Sequence, residues 1–402
     1  MNILYYVNEF PKISESFMLN EIDELNNRGH NIIIFSLREG NKDILHDEYN
    51  DLDITEKYMN LSASSIRNML PEIDFLDEYV NTLSSTISAF PVKITGINII
   101  ISNCLINFIQ DLECDLDIIH GHFANSVKIA QICVSSCFNI PSVVTAHAYE
   151  IFSTQTDEQI RYICNNMDHI FVPSEYNREY LRDKIGVKNS FTKVPATTRV
   201  NKFNPTNETI SGRILTVGRL SEKKGHVFSI DAVANLIDRG YDLDYHIIGT
   251  GDKEKILRER VFERGIQDSV KFLGHVSDDR LNKELSQASV FVLPCVIASN
   301  GDRDAMPVVL KEAMACETAC VSTTISAIPE LISDKQNGLM VPPGESDSLT
   351  DAIRYLLDNP KERKRLAKNG LITVKQKFDI SASVNLLEKD FENIVCNRRN
   401  NR

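Results

Sequence analysis

Short, dense apolar runs alternate along the chain with longer stretches whose apolar positions recur at helical spacing. "NILYYV" (2–7) predicts a first strand. "SESFMLNEIDELNNRG" (14–29) follows, with Phe17, Met18, Ile22 and Leu25 on one helical face and Gly29 as a stop. "NIIIFSL" (31–37) predicts a second strand, so the chain opens with a βαβ unit. Further strand-like runs are "LDIIHGHF" (116–123), "SVVTAH" (142–147) and "HIFVPS" (169–174). Residues 42–90 are acidic and read as helical. "ITGINIIISNCLINFIQ" (94–110) carries no charge but is interrupted by Asn98, Asn103 and Asn107. It is short for a bilayer span, so a core helix is the first reading and an interfacial membrane helix the second.

"VNKFNPTNETISGR" (200–213) is polar, contains Pro205 and Gly212, and reads as a linker. The alternation then restarts with "RILTVG" (213–218), "DYHIIGTG" (244–251), "VKFLG" (270–274), "SVFVLP" (289–294), "TACVST" (318–323) and "GLMVPP" (338–343). Strands alternating with helices build a parallel sheet covered on both faces. The pattern therefore predicts an α/β chain of two Rossmann-like domains facing across a cleft, residues 1–203 and 204–375. A terminal helix over 376–402 is expected to cross back to the first domain. Ligands bind beyond the carboxyl ends of such strands, which places the chemistry in the loops that follow them.

Composition narrows the class. With 42% hydrophobic and 25% charged residues, the chain is of ordinary globular type. Residues 1–203 carry 16 basic against 27 acidic residues and the remainder 28 against 29, which argues against a nucleic-acid partner for either half. Nine cysteines without a CxxC pair suggest neither a disulfide framework nor a zinc site, and read as reduced cytoplasmic thiols. "MNILYYVNEF" has no basic region or cleavage site and reads as a strand rather than a signal.

Three stretches could carry chemistry. "GRLSEKKG" (218–225) lies between a strand and a helix; its cations and the free N–H groups of a helix start suit a diphosphate, although a solvated basic turn has the same composition. "GTGD" (249–252) is a weaker glycine turn of the same kind. In "DAMPVVLKEAMA" (304–315) Asp304 precedes Pro307, while Glu312 sits among apolar and small residues. Unpaired buried carboxylates cost several kcal/mol, so Glu312 either reaches the surface or an Arg, or waits for a ligand. Pro307 suits a first helical position, leaving Asp304 in the loop ahead of it and the N–H groups of 306–309 facing a ligand. His120, His122 and His147 end two strands, with Glu150 close behind His147. His120 and His122 could form a metal pair, but no third ligand is evident, and structural histidines fit as well. The several DxD pairs, Asp302/Asp304 among them, are weak evidence of an ion in so acidic a chain.

Together "GRLSEKKG", "LPCVIASNGDRDAMPVVLKEAMA" and "ISAIPELISDKQNGLMVPP" resemble the donor-binding half of glycosyltransferase family 4, retaining enzymes of GT-B fold. "FPKISESFMLNEIDELNNRGH", "IHGHFA", "TAHAYEIF" and "VPSEYNREYL" resemble its acceptor half, closest to the colanic-acid and exopolysaccharide transferases. The resemblance runs from residue 1 to about 390. It implies that Arg219 and Lys224 hold the donor diphosphate, that Asp304 addresses the sugar, and that Glu312 binds the nucleotide ribose. It further implies donor contacts from Gly249, Ala305, Met306, Pro307 and Val308, a sugar contact from His147, and an acceptor side lined by Ser14, Glu15, Ser16 and His122. Catalysis would rest on Asp304, His147, Arg219 and Lys224, with no metal and no cofactor beyond the nucleotide-sugar co-substrate. Departures from the family pattern are Asp304 for glutamate, Ala305 and Glu317 for glycines, and Thr197 and Arg199 in a stretch usually reading G-[VI]-D.

The implied activity is transfer of a hexosyl group from a nucleotide-diphosphate sugar to a saccharide acceptor. The subgroup implies a lipid-linked acceptor, cell-surface polysaccharide synthesis, and a cytoplasmic protein at the inner membrane face. A GT-B 2-epimerase and a nucleotide-sugar-binding protein without catalysis stay open as alternatives.

Overall fold

Each apolar run read above is a strand in the computed structural model, which describes all residues except 13–14, 42–48, 50–51, 60–83, 88, 206–207 and 401–402. The first unit, Met1–Pro195 with Ser383–Arg402, is built on seven strands: β1 (Asn2–Val7), β2 (Asn31–Ser36), β3 (Thr55–Tyr58), β4 (Ile118–His122), β5 (Ser142–Thr145), β6 (His169–Val172) and β7 (Phe191–Lys193). Their order is β3-β2-β1-β4-β5-β6-β7, and every pairing is parallel. The second unit, Ala196–Ala382, repeats the plan with β8 (Arg213–Val217), β9 (Asp244–Ile248), β10 (Val270–Gly274), β11 (Val290–Leu293), β12 (Cys320–Thr323) and β13 (Leu339–Val341). Its order is β10-β9-β8-β11-β12-β13, again all parallel. Strand order reverses between β1 and β4, and between β8 and β11. Those two switch points are where parallel sheets open a crevice for ligands.

Central strands read as unbroken apolar runs because helices cover both faces. Leu4, Tyr6, Ile33, Phe35, Ile119 and Val134 form one side of the first core. Ile214, Tyr245, Ile247, Val290, Val292 and Val321 centre the second. The two strands that periodicity missed, β3 ("TEKY") and β7 ("FTK"), are short polar sheet edges. For the 42–90 stretch the helical reading is corrected at Thr55–Tyr58, which pairs with β2, while residues 84–86 are helical.

The boundary expected at 203/204 falls at 195/196, because Val200–Lys202 and its neighbours attach to the second unit. Lys202 pairs with Asp278 at 2.7 Å, and the Lys311 ammonium donates to the Ala196 carbonyl. The helix Ile380–Asn400 lies against the first unit for most of its length. Glu388 takes Arg28 and His30 at 2.9 and 2.7 Å, and Asp390 accepts from Thr192.

The uncharged segment forms the helix Val92–Gln110, by length and composition able to cross a membrane. Ile101 and Leu105 are fully buried against the helix Lys128–Phe138. Asn98, which looked like an interruption, is buried with them: its side chain donates to the Ile94 carbonyl and accepts from the Ala130 N–H at 3.2 Å. Only the outward face, with Val92 75% exposed, remains open. Leu105→Glu should therefore abolish the cooperative melt followed by circular dichroism, because it buries an unpaired charge. Val92→Glu should shift stability by less than about 0.5 kcal/mol.

Glu317, one of the departures from the family pattern, has φ 54° and closes the helix Val308–Ala315. Its N–H bonds the Met314 carbonyl and the Thr318 N–H bonds Ala313, a left-handed helix end that glycine adopts without steric cost. Glu317→Gly should raise stability by about 1 kcal/mol, read as a higher urea midpoint.

Candidate active site

In the second unit the loops after β8 and β11 lock together at the switch point. The short turn Glu222–Lys224 ends at Gly225, whose φ is 69°; a Cβ there would sit 1.9 Å from the Pro294 carbonyl oxygen. That approach carries both lysines to the β11 loop. The Val296 N–H donates to the Lys223 carbonyl at 2.9 Å, and Ser299 donates to the Glu222 carboxylate through its N–H and hydroxyl at 2.8 and 2.9 Å. Lys224 Nζ then lies 2.7 Å from Asp304, and Lys223 Nζ reaches Asp302 at 3.1 Å and Asp304 at 3.3 Å. Burial pushes the Asp304 carboxyl up, but the Lys224 and Lys223 charges outweigh it and hold its pKa below the usual range. Burial likewise lowers Lys224, and Asp304 reverses the sign, leaving its pKa raised. Both groups are thus charged across the neutral range.

Asp304 lies in the loop ahead of the helix, as expected. Pro307 precedes Val308 as the cap, one position earlier than the first helical turn to which it was assigned. Ala305, Met306 and Pro307 are buried, while Val308 is half-buried at the helix start. Arg219 is exposed beside this cluster in sequence, its carbonyl accepting from His226. Gly249 lies beneath the turn rather than offering a side chain: a Cβ there would meet the Gly218 carbonyl oxygen at 2.0 Å.

The buried charge on the helix Val308–Ala315 is not Glu312, which is half-exposed, but Lys311 beside it. The Lys311 ammonium donates to Ala196, which precedes the departing Thr197–Arg199 stretch, and burial lowers its pKa to about 7. A lysine stem covers apolar surface as well as a leucine does, so nothing in the pattern separated Lys311 from a surface cation.

In the first unit His147 follows β5 and His122 ends β4. His122 Nδ1 lies 3.1 Å from His147 Nε2, and His122 Nε2 lies 3.1 Å from Glu21 Oε1. The Tyr5 hydroxyl donates to that same oxygen at 2.7 Å. Glu21 comes from the helix Ser16–Asn27 and stands 3.4 Å from His120 Nδ1, so the fold supplies the third metal-type ligand missing from the sequence reading. His122, expected on the acceptor side, is buried, with both ring nitrogens engaged. Of the other acceptor-side residues, Glu15 pairs with Lys12 at 2.7 Å and Ser16 starts the helix; Ser14 lies outside the described residues.

Glu150 fixes the backbone here, accepting from the N–H groups of His147 at 2.6 Å and Ala124 at 2.8 Å. Burial raises its pKa to about 7 against those bonds. Lys128, fully buried and donating to the Tyr6 carbonyl at 2.7 Å, is lowered by burial to about 7. Because the folded Glu150 binds its proton more tightly than an unfolded glutamate, its stabilising contribution is complete below about pH 4.5. It is lost as pH rises to about 7. Glu150→Gln keeps the acceptor oxygen without the titration. The difference in melting temperature, variant minus parent, should therefore grow between pH 5 and pH 8 in differential scanning fluorimetry.

Two family descriptions match the chain: "Glycosyltransferase Family 4" over residues 14–195 and "Glycosyl transferases group 1" over residues 199–372. Among curated proteins, WcaL of Salmonella typhimurium, named for colanic acid biosynthesis, is 25% identical over 87% of this chain and 89% of its own length. The amylovoran biosynthesis glycosyltransferase AmsK of Erwinia amylovora is 38% identical over 36% of this chain, and the match spans 35% of AmsK. Sucrose-phosphate synthase from Thermosynechococcus elongatus shares the fold at TM-score 0.76 and 17% identity, covering 98% of this chain and 100% of that one. Anabaena HepE, solved with UDP-glucose, does so at TM-score 0.71 and 14% identity, covering 98% and 100%.

Proposed function

We propose that this chain, which belongs to glycosyltransferase family 4 and has the GT-B fold, transfers a hexosyl group from a nucleotide-diphosphate sugar to a saccharide acceptor with retention of configuration. The observation that carries the reading is the Lys223–Lys224–Asp304 cluster at the β8/β11 switch point, beside the start of the helix Val308–Ala315. Helix-start N–H groups, two ammonium groups and the nearby Arg219 suit a diphosphate. That HepE binds UDP-glucose and that AmsK and WcaL are named for polysaccharide synthesis supports the donor class and the pathway.

In this reading the bond between the anomeric carbon and the leaving phosphate oxygen breaks, its electron pair passing to the diphosphate. Arg219 and Lys224 neutralise that charge as it develops. The acceptor hydroxyl bonds the carbon from the same face and gives its proton to a donor phosphate oxygen. Asp304 orients the sugar hydroxyls, His147 adds a sugar contact, and Glu312 accepts from the ribose diol. Its half-exposed position leaves it reachable by that diol. With lysines already on Asp302 and Asp304, the cationic charge is supplied by the protein, and activity does not need a metal. The acceptor is lipid-linked, and the protein works at the cytoplasmic face of the membrane.

A panel of UDP-, GDP- and ADP-sugars, assayed for acceptor-dependent nucleotide release, tests the whole reading; release with none of them sinks it. Activity should persist in excess EDTA. By calorimetry, Glu312→Gln should weaken nucleoside-diphosphate binding by about 10²-fold, from two charge-assisted bonds lost. Asp304→Ala frees Lys224, so it should bind the same nucleotide at least as well as the parent while transferring poorly.

A further inference from the structure

The buried cluster of the first unit has a direction built into it. An ionised carboxylate only accepts hydrogen bonds, so the His122 nitrogen facing Glu21, Nε2, carries a proton. In a neutral His122 ring, Nδ1 is then bare and accepts from His147 Nε2, 3.1 Å away. A neutral His147 ring that donates to this bare nitrogen carries its one proton on Nε2. Its Nδ1 is left without one.

We propose that Glu21 is a positioning residue that acts through His122 to fix the His147 tautomer, leaving His147 Nδ1 as a hydrogen-bond acceptor for a hydroxyl of the donor sugar. This rests on the reading above in which His147 meets the sugar. The anchor is rigid. Tyr5, fully buried, donates to the same Glu21 oxygen at 2.7 Å, and Phe17 and Phe123 pack on the His147 ring with centroids 4.8 and 4.6 Å away. Glu150 holds the His147 backbone.

The same side chains could be read as a metal site, since ligand atoms of Glu21, His120 and His122 lie within 4.8 Å of one another. The two readings predict opposite chemistry at His147. A cation on His122 Nε2 would move the His122 proton to Nδ1, which would then donate to His147 Nε2 and place the His147 proton on Nδ1.

The test uses the full-length protein with ¹⁵N-labelled histidine at pH 8, above the ordinary histidine range, with His147 assigned by comparison with His147→Gln. Two-bond ¹⁵N–¹H correlation spectra should show the parent His147 protonated at Nε2 only. In Glu21→Ala that preference should collapse to a mixture of tautomers. The variant's kcat/KM for the donor should fall about tenfold or more, while its affinity for the nucleoside diphosphate stays that of the parent. Parent His147 protonated at Nδ1 or at both nitrogens, an unchanged pattern in folded Glu21→Ala, or one equivalent of tightly held metal in the purified protein would each overturn the proposal. The parent spectrum decides even if Glu21→Ala does not fold. Should the tautomer be as stated and mutation at His147 leave sugar transfer intact, the donor-contact reading of His147 is what fails.

Discussion

The contact between Lys224 and Asp304 organises the second unit's ligand face. Neither partner could stay charged alone in so enclosed a place, because desolvation opposes both; each holds the other ionised. The pair is also a joint between loops. Lys224 belongs to the turn after β8 and Asp304 to the loop after β11, and Gly225 brings their backbones together at a distance no side chain would permit. Charge and backbone geometry thus depend on one another. A substitution at Gly225 would part the loops and leave both charges buried without partners.

The first unit meets its ligand face differently. No ammonium group there reaches the histidine cluster by hydrogen bond among the described residues; Lys128 is spent on the Tyr6 carbonyl. Polar atoms are arranged in series instead, Tyr5 to Glu21 to His122 to His147, with Thr145 closing the far side of His120 at 2.8 Å. Buried networks of this kind cost stability when partly satisfied and specify one geometry when complete. One unit supplies charge and the other a fixed pattern of donors and acceptors.

Strand positions, the repeated βα plan and the two chemical loops were legible because each is local. An apolar run followed by glycine and cations occupies a few adjacent residues, and the switch-point rule then says where those residues matter. Glu21 was not legible in this way. It lies 101 residues from His122 and stands in a helix as an ordinary polar position; only the docking of that helix over β1 and β4 makes it the third member of the cluster. The Lys311/Glu312 pair shows the opposite limit. Sequence identified a charge among apolar neighbours but could not choose between adjacent residues. Lys311 projects inward, its ammonium finding the Ala196 carbonyl, while Glu312 is only half-buried. β3 and β7 escaped because edge strands need no apolar run.

The departures from the family pattern divide by physical cause. Glu317 sits at a left-handed helix end, away from any proposed chemistry, and its effect is conformational. Lys311 ties the Thr197–Arg199 stretch to the helix that carries Glu312, so a change of sequence there can be absorbed by the backbone carbonyl that Lys311 uses. Asp304 is of another kind. One methylene shorter than glutamate, it is held within reach of Lys224 and Lys223, at 2.7 and 3.3 Å.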